Sequence, residues 1–151
     1  VDVEQKTTTK GSTALMLASI EGHVEVVKAL LAHLLAHNPT NKDGKTALMM
    51  ASMEGHVEVV KALLDPKRRP QAAIREDVGD SDDSDMTALM YASMKGHVEV
   101  VKALLAHKGV GVNLTNKDGK TALMLARESP VAKKRKVEVV GLLEGARKSN
   151  S

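Results

Sequence analysis

The chain has 151 residues, 42% of them apolar, a net charge of +3, no Cys and one aromatic residue, Tyr91. Disulfide and thiol chemistry are therefore excluded. A run of about 18 apolar residues, as a membrane span requires, does not occur, and the charge is too small and the aromatic content too low for a nucleic-acid-binding face. Without rings, the core must come from Leu, Val, Ala and eight Met, a set that suits thin stacked layers better than a compact globule.

The chain opens on Val1-Asp2-Val3, which resembles the later connection Val110-Gly111-Val112-Asn113. On that likeness it starts in mid-period, as a piece cut from a longer array. At Thr13 begins TALMLASIEGHVEVVKALL, which recurs at Thr46, at Thr87 and, stretched, at Thr121, with starts 33, 41 and 34 residues apart. A period near 33 signals one supersecondary unit copied along an axis, each copy burying its apolar face against its neighbours. Four copies exceed the roughly three such an array needs.

Each unit reads as two short helices and a loop. Thr13, Thr46, Thr87 and Thr121 stand as N-caps ahead of a run of good helix formers. About two turns later Gly22, Gly55 and Gly96 supply a left-handed stop. The second helix follows, with Val24, Val27, Leu30 and Leu31 on one face. Glu25 and Lys28, Glu58 and Lys61, and Glu99 and Lys102 fall three apart on its wet side.

Three segments break the period. From Leu34 to Pro39 the usual Gly-containing connection is replaced, and the second helix is read as running one turn further, with Leu34 and Leu35 covering core. His33 and His37 have helical metal-ligand spacing, but no Cys or carboxylate completes a site. Asp65 to Asp85 is eight residues longer than its counterpart (41 against 33). Pro66 ends the preceding helix, and the basic Lys67-Arg68-Arg69 gives way to Glu76, Asp77, Asp80, Asp82, Asp83 and Asp85, which reads as a mobile inserted loop. Asp80, Asp82 and Ser84 alternate like calcium ligands, yet Asp85 stands where that loop needs Gly and Tyr91 where it needs Glu. Ser81 and Ser84 are candidate phosphorylation positions among these acids. The third break, residues 127–136, holds a basic run, Lys133, Lys134, Arg135 and Lys136. It is read first as the solvated initial turn of the last helix and alternatively as a nuclear import signal. Beyond Leu143 the chain turns polar, as a terminal unit or a fraying end does.

The motifs TALMxA and GHVEVVKxLL, at this spacing, resemble the ankyrin repeat, whose signature is T-P-L-H-x-A. Ala14, Ala47, Ala88 and Ala122 replace the family's Pro, and Met16, Met49, Met90 and Met124 replace its His. Pro at the first helical position is favoured because it stiffens the turn, and the family's His takes part in a polar contact with the Thr. These departures soften the array without changing its fold. The resemblance implies an all-α ankyrin-repeat solenoid of stacked helix-turn-helix units with β-turn or finger loops. Its units would span about 10–40, 41–64, 84–115 and 116–148, with insertions at 65–85 and 127–136.

The resemblance also implies a module that binds another protein along a concave strip of finger tips and first helices. Carried over unit by unit, the strip holds Lys10, Ser12, Ile20 and Glu21; Lys42, Asp43, Lys45, Met53 and Glu54; Asp83, Met86, Tyr91, Met94 and Lys95; and Lys117, Asp118 and Lys120. Ile20, Met53 and Met94 form an adaptable apolar ladder along it, and Tyr91 is the aromatic candidate for a hot spot, unless it faces the core between units. The alternatives are a spacer segment without a partner and a nuclear cargo. No enzyme is expected, because His23, His56 and His97 recur at one place per unit whereas an active site needs different groups converging on a point. No phosphate loop, nucleophile elbow or metal cluster is present in the sequence. The expected chain is an intracellular protein, cytoplasmic or nuclear, that uses no cofactor or metal. It binds neither nucleic acid nor membrane, and is a monomer or a weak dimer through an exposed end layer.

Overall fold

A computed structural model of the chain describes residues 13–33, 40–107 and 109–149. The described residues form helices α1 (Ala14–Glu21), α2 (Val24–Leu31), α3 (Ala47–Glu54), α4 (Val57–Leu63), α5 (Gln71–Gly79), α6 (Ala88–Lys95), α7 (Val98–Leu105), α8 (Ala122–Glu128) and α9 (Lys133–Ser149). Two rows result. First helices pack on first helices, α1 on α3, α3 on α6 and α6 on α8, while α2, α4, α7 and α9 stack as a second row. Within each unit the two helices are joined by a left-handed glycine or, in the last unit, by a short loop.

The local signals act as the sequence implies. Each first helix is capped by its Thr hydroxyl, which accepts from the backbone N–H of Met16, Met49, Met90 or Met124 at 3.2–3.3 Å. Gly22, Gly55 and Gly96 end those helices at φ 78°, 76° and 72°, a region in which a β-carbon is strained. The second helices bury Val27 and Leu31, and equivalents such as Val60 and Val101, while the Glu-Lys pairs lie on the solvent side at 3.2–3.6 Å. Such exposed pairs contribute at most about 1 kcal/mol each. Packing, not surface charge, holds the rows together.

The Met that replaces the family's His is core. Met16, Met49 and Met90 are 0%, 0% and 1% exposed, whereas Met124, on the outer side of the last layer, is 46% exposed. A flexible thioether fills the gap between layers without asking for a polar partner. By contrast, the Ser at one recurring position finds none. The hydroxyls of Ser19, Ser52 and Ser93 are buried with no hydrogen-bond partner among the described residues.

The segment 65–85, expected as a loop, is corrected by the structure. Residues 71–79 form α5, and its Ile74 and Val78 are fully buried in the common core. The helix is clamped by an ion pair: Arg69 Nη1 donates to Asp77 Oδ2 at 2.9 Å and to the Leu63 carbonyl at 3.0 Å, tying the insertion to the end of α4. The signal was in the sequence as Ala73, Ile74 and Val78 on one helical face after Pro70. It is masked by the acidic composition around it. In the third break α8 runs to Glu128 and α9 starts at Lys133, so Lys133 to Lys136 form the first turn of the last helix, as first read, and 129–132 are the connection. In the first unit, α2 ends at Leu31 and His33 is exposed; Leu34, Leu35, His37 and the expected extra turn lie outside the described residues.

Two substitutions test this packing. Ile74→Ala should lower unfolding free energy by about 2–4 kcal/mol, measured by urea denaturation, and a change below about 0.5 kcal/mol would mean that α5 is no part of the cooperative core. Ser52→Ala should raise stability by roughly 1 kcal/mol, by removing a buried hydroxyl with no hydrogen-bond partner among the described residues; a destabilised variant would show that the hydroxyl is bonded after all.

Candidate functional site

The first helices end in a ladder of backbone carbonyls, and each is capped from the next unit. His56 Nε2 lies 3.0 Å from the Ile20 carbonyl, and His97 Nε2 lies 2.9 Å from that of Met53. A carbonyl only accepts, so these nitrogens carry the hydrogen. In the last junction no His is available, and Ser129 Oγ donates to the Met94 carbonyl at 2.5 Å instead. The imidazoles lie flat on the preceding glycine: a β-carbon at Gly55 would stand 2.5 Å from the His97 ring, and one at Gly22 2.8 Å from that of His56. The recurring His is thus a staple between units at Ile20 and Met53, and Ser129 takes its place at Met94.

The finger loops form a second ladder. Asn41, Asp82 and Asn116 hold equivalent places. Each side-chain oxygen accepts two backbone N–H groups, two and four residues on, at 2.9–3.0 Å. The turn needs a left-handed residue, supplied by Gly44, Asp85 and Gly119 at φ 78°, 59° and 73°. Successive fingers are joined through their backbones, Asp83 N–H to the Asp43 carbonyl at 3.0 Å and Lys117 N–H to that of Ser84 at 3.2 Å.

Asp82 is more than a turn former. Its other oxygen receives the Tyr91 hydroxyl and lies 3.5 Å from Lys45 Nζ, which sits 5.7 Å above the Tyr91 ring. Burial alone would push this carboxyl up, but bonds from Tyr91, Met86 N–H and Ser84 N–H, with the Lys45 charge, hold it below its ordinary value. Burial, and then the bond to Asp82 and its charge, push the Tyr91 hydroxyl well above the usual phenol range. These groups occupy one of the carboxylates of the calcium-like spacing. Asp82 is spent on protein donors, and no group of three potential ligands occurs among the described residues.

The structure distributes the residues of the expected strip between surface and core. Lys42, Asp43, Asp83, Lys117 and Asp118 are exposed on the fingers, Lys45 and Lys120 are half-buried, and Lys120 pairs with Glu128 at 2.5 Å. Glu21, Glu54 and Lys95 are exposed beside the half-buried Ile20, Met53 and Met94. Met86 and Tyr91 are corrected: both are buried at 8% exposure, Met86 under the next finger, where Asn116 Nδ2 donates to its sulfur at 3.3 Å. Neither offers a side chain to a partner, so the aromatic hot spot is lost. Lys10 and Ser12 lie outside the described residues. Lys133, Lys134 and Arg135 are exposed and Lys136 half-buried, all in the first turn of α9. The hub at Asp82 was missed because an acidic run reads as solvated; its alignment with Asn41 and Asn116 was the available signal.

Since the folded state holds Asp82 below 3.8, its contribution to stability is complete above that pH and is lost as pH falls through the lower folded value. Asp82→Asn, which places in the third finger the residue found in the other two, should cost about 1–2 kcal/mol at pH 7. It should also flatten the loss of stability below pH 4, read by urea denaturation across a pH series; an unchanged acid profile would remove Asp82 from this role.

A family model described as ankyrin repeats (3 copies) matches the chain twice, over residues 1–74 and 71–149. No curated protein matches it.

Proposed function

Because the chain belongs to the ankyrin-repeat family, whose members are in general protein-protein interaction modules and typically not enzymes, we propose that it binds a partner protein along the strip of finger tips and first-helix ends. The observation that carries this reading is the pair of ladders. Ile20, Met53 and Met94 are half-buried in register, with Glu21, Glu54 and Lys95 exposed beside them. The fingers bearing Lys42, Asp43, Asp83, Lys117 and Asp118 are tied backbone to backbone. A strip fixed in this way loses little entropy on binding, and its two Met adapt to an irregular surface.

The partner contact follows from what is accessible. Apolar contact comes from Met53 and Met94, and orientation comes from the charges on either side, which set specificity and on-rate more than affinity. Tyr91 and Lys45 act behind the strip by holding the third finger through Asp82. No helix among the described residues is long and apolar enough to cross a membrane.

The test is affinity capture from lysate with the intact chain beside the variant Met53→Ala, Glu54→Arg, Met94→Ala, Lys95→Glu, after equal helicity is established by circular dichroism. A protein retained by the intact chain and reduced about tenfold or more by these four changes supports the strip. If the variant retains the same proteins, or nothing binds saturably, the array is a spacer.

A further inference from the structure

The second row of helices carries a surface that the strip does not use. The three preceding outer helices start at the residue after their His: Val24, Val57 and Val98. The fourth copy of that Val is Val137, yet α9 begins four residues earlier at Lys133. The insertion therefore adds one full turn to the front of α9, and that turn consists of Lys133, Lys134, Arg135 and Lys136. It projects beyond the line of its neighbours and walls a groove of about 290 Å³ whose other lining includes Val57, Val98, Val100, His97 and Glu99, with Arg135 at the wall.

Helix electrostatics disfavour this arrangement. Cations in a first turn face the positive end of the helix dipole and one another, and both contacts are unfavourable. Ala132, whose carbonyl accepts the first helical bond from Lys136 N–H at 3.1 Å, has no side-chain oxygen to cap the turn. None of the four cations has an ion-pair partner among the described residues, although Glu138 lies three and four residues beyond Arg135 and Lys134. Elsewhere the outer row pairs its charges: Lys28 with Glu25, Lys61 with Glu58, and Lys102 with Glu99. A local rule is thus broken at one inserted turn with no compensating ion pair among the described residues, as happens at sites that meet a ligand. Bound carboxylates would offset both the repulsion and the dipole.

We propose that the groove beside the inserted turn of α9 docks an acidic peptide segment of another protein, its carboxylates on Arg135 and the neighbouring lysines and an apolar side chain on the half-buried Val57 and Val98. A bidentate Arg-carboxylate contact gives such a segment its register. The apolar lining favours a peptide over a nucleic acid. So does the burial of Tyr91, the sole aromatic residue, which leaves no ring for bases to stack on. This surface is independent of the strip on the first helices.

The experiment is fluorescence anisotropy of the full chain with three labelled probes: a twelve-residue peptide of Glu and Asp with two central Leu, the same peptide with Ser for Leu, and a twelve-nucleotide RNA. The Leu-containing peptide should bind saturably at low salt. Its affinity should fall about tenfold or more when Lys133, Lys134, Arg135 and Lys136 are changed to Gln, and severalfold in Arg135→Gln or Val98→Thr, all exposed or conservative changes checked for helicity. Met53→Ala should leave it unchanged, which separates this groove from the strip. The proposal is overturned if no probe saturates, if the Gln variant binds as the parent does, or if the Ser peptide or the RNA binds as tightly as the Leu peptide.

Discussion

Every unit of this chain is fastened to the one before it by a side chain that reaches back across the layer and covers two things at once. His56 and His97 satisfy the carbonyls at the ends of α1 and α3, and their rings occupy the space above Gly22 and Gly55. A helix end leaves its last carbonyls without intrahelical partners, so the contact meets a need that each unit has and cannot meet alone. The ring also explains why Gly is required twice over, for its positive φ and for the room it leaves. At the last junction the same duties are divided, Ser129 reaching the Met94 carbonyl while Val131 packs on Gly96, where a β-carbon would stand 2.9 Å from it.

The strip on the first helices and the groove on the second are both consequences of that fastening. The carbonyls of Ile20, Met53 and Met94 are each held from the next unit, and their half-buried side chains pack against the common core at equivalent places. The fingers follow, joined through Asp43, Asp83, Ser84 and Lys117. The third finger departs from its neighbours in having the buried Met86 in place of Lys45 and Lys120 and an acid in place of Asn. Asp82 there receives the Tyr91 hydroxyl and the charge of Lys45 from the finger before it, so that finger is held from below as well as from the side.

The two insertions do different things with the same freedom. Neither disturbs the stacking, since each enters where the chain passes between elements. Residues 65–85 spend their extra length on α5, which puts Ile74 and Val78 into the core and needs Arg69 to neutralise the buried Asp77. A buried carboxylate without a counter-ion is costly, so the basic and acidic halves of this segment depend on one another. Residues 129–132 connect α8 to the extra first turn of α9, whose four cations have no ion-pair partner among the described residues.

The repeat, its caps and its glycine stops were legible in the sequence, because they depend on neighbours three or four residues away and recur in every copy. Thr46 caps α3 and Gly55 ends it whatever lies beyond the unit. The ion pairs on the second helices are local in the same sense. What the sequence did not disclose depends on residues far apart in the chain: His56 meeting Ile20, Arg69 meeting Asp77 beside α5, and Lys45 and Tyr91 converging on Asp82. An acidic run has the composition of a solvated loop, and only the stacking of the fingers decides that Asp82 is buried and Asp83 exposed. By itself the sequence determined the unit and its period. The tertiary structure decided which face of each unit remains available, because burial is a property of what the neighbouring layer covers.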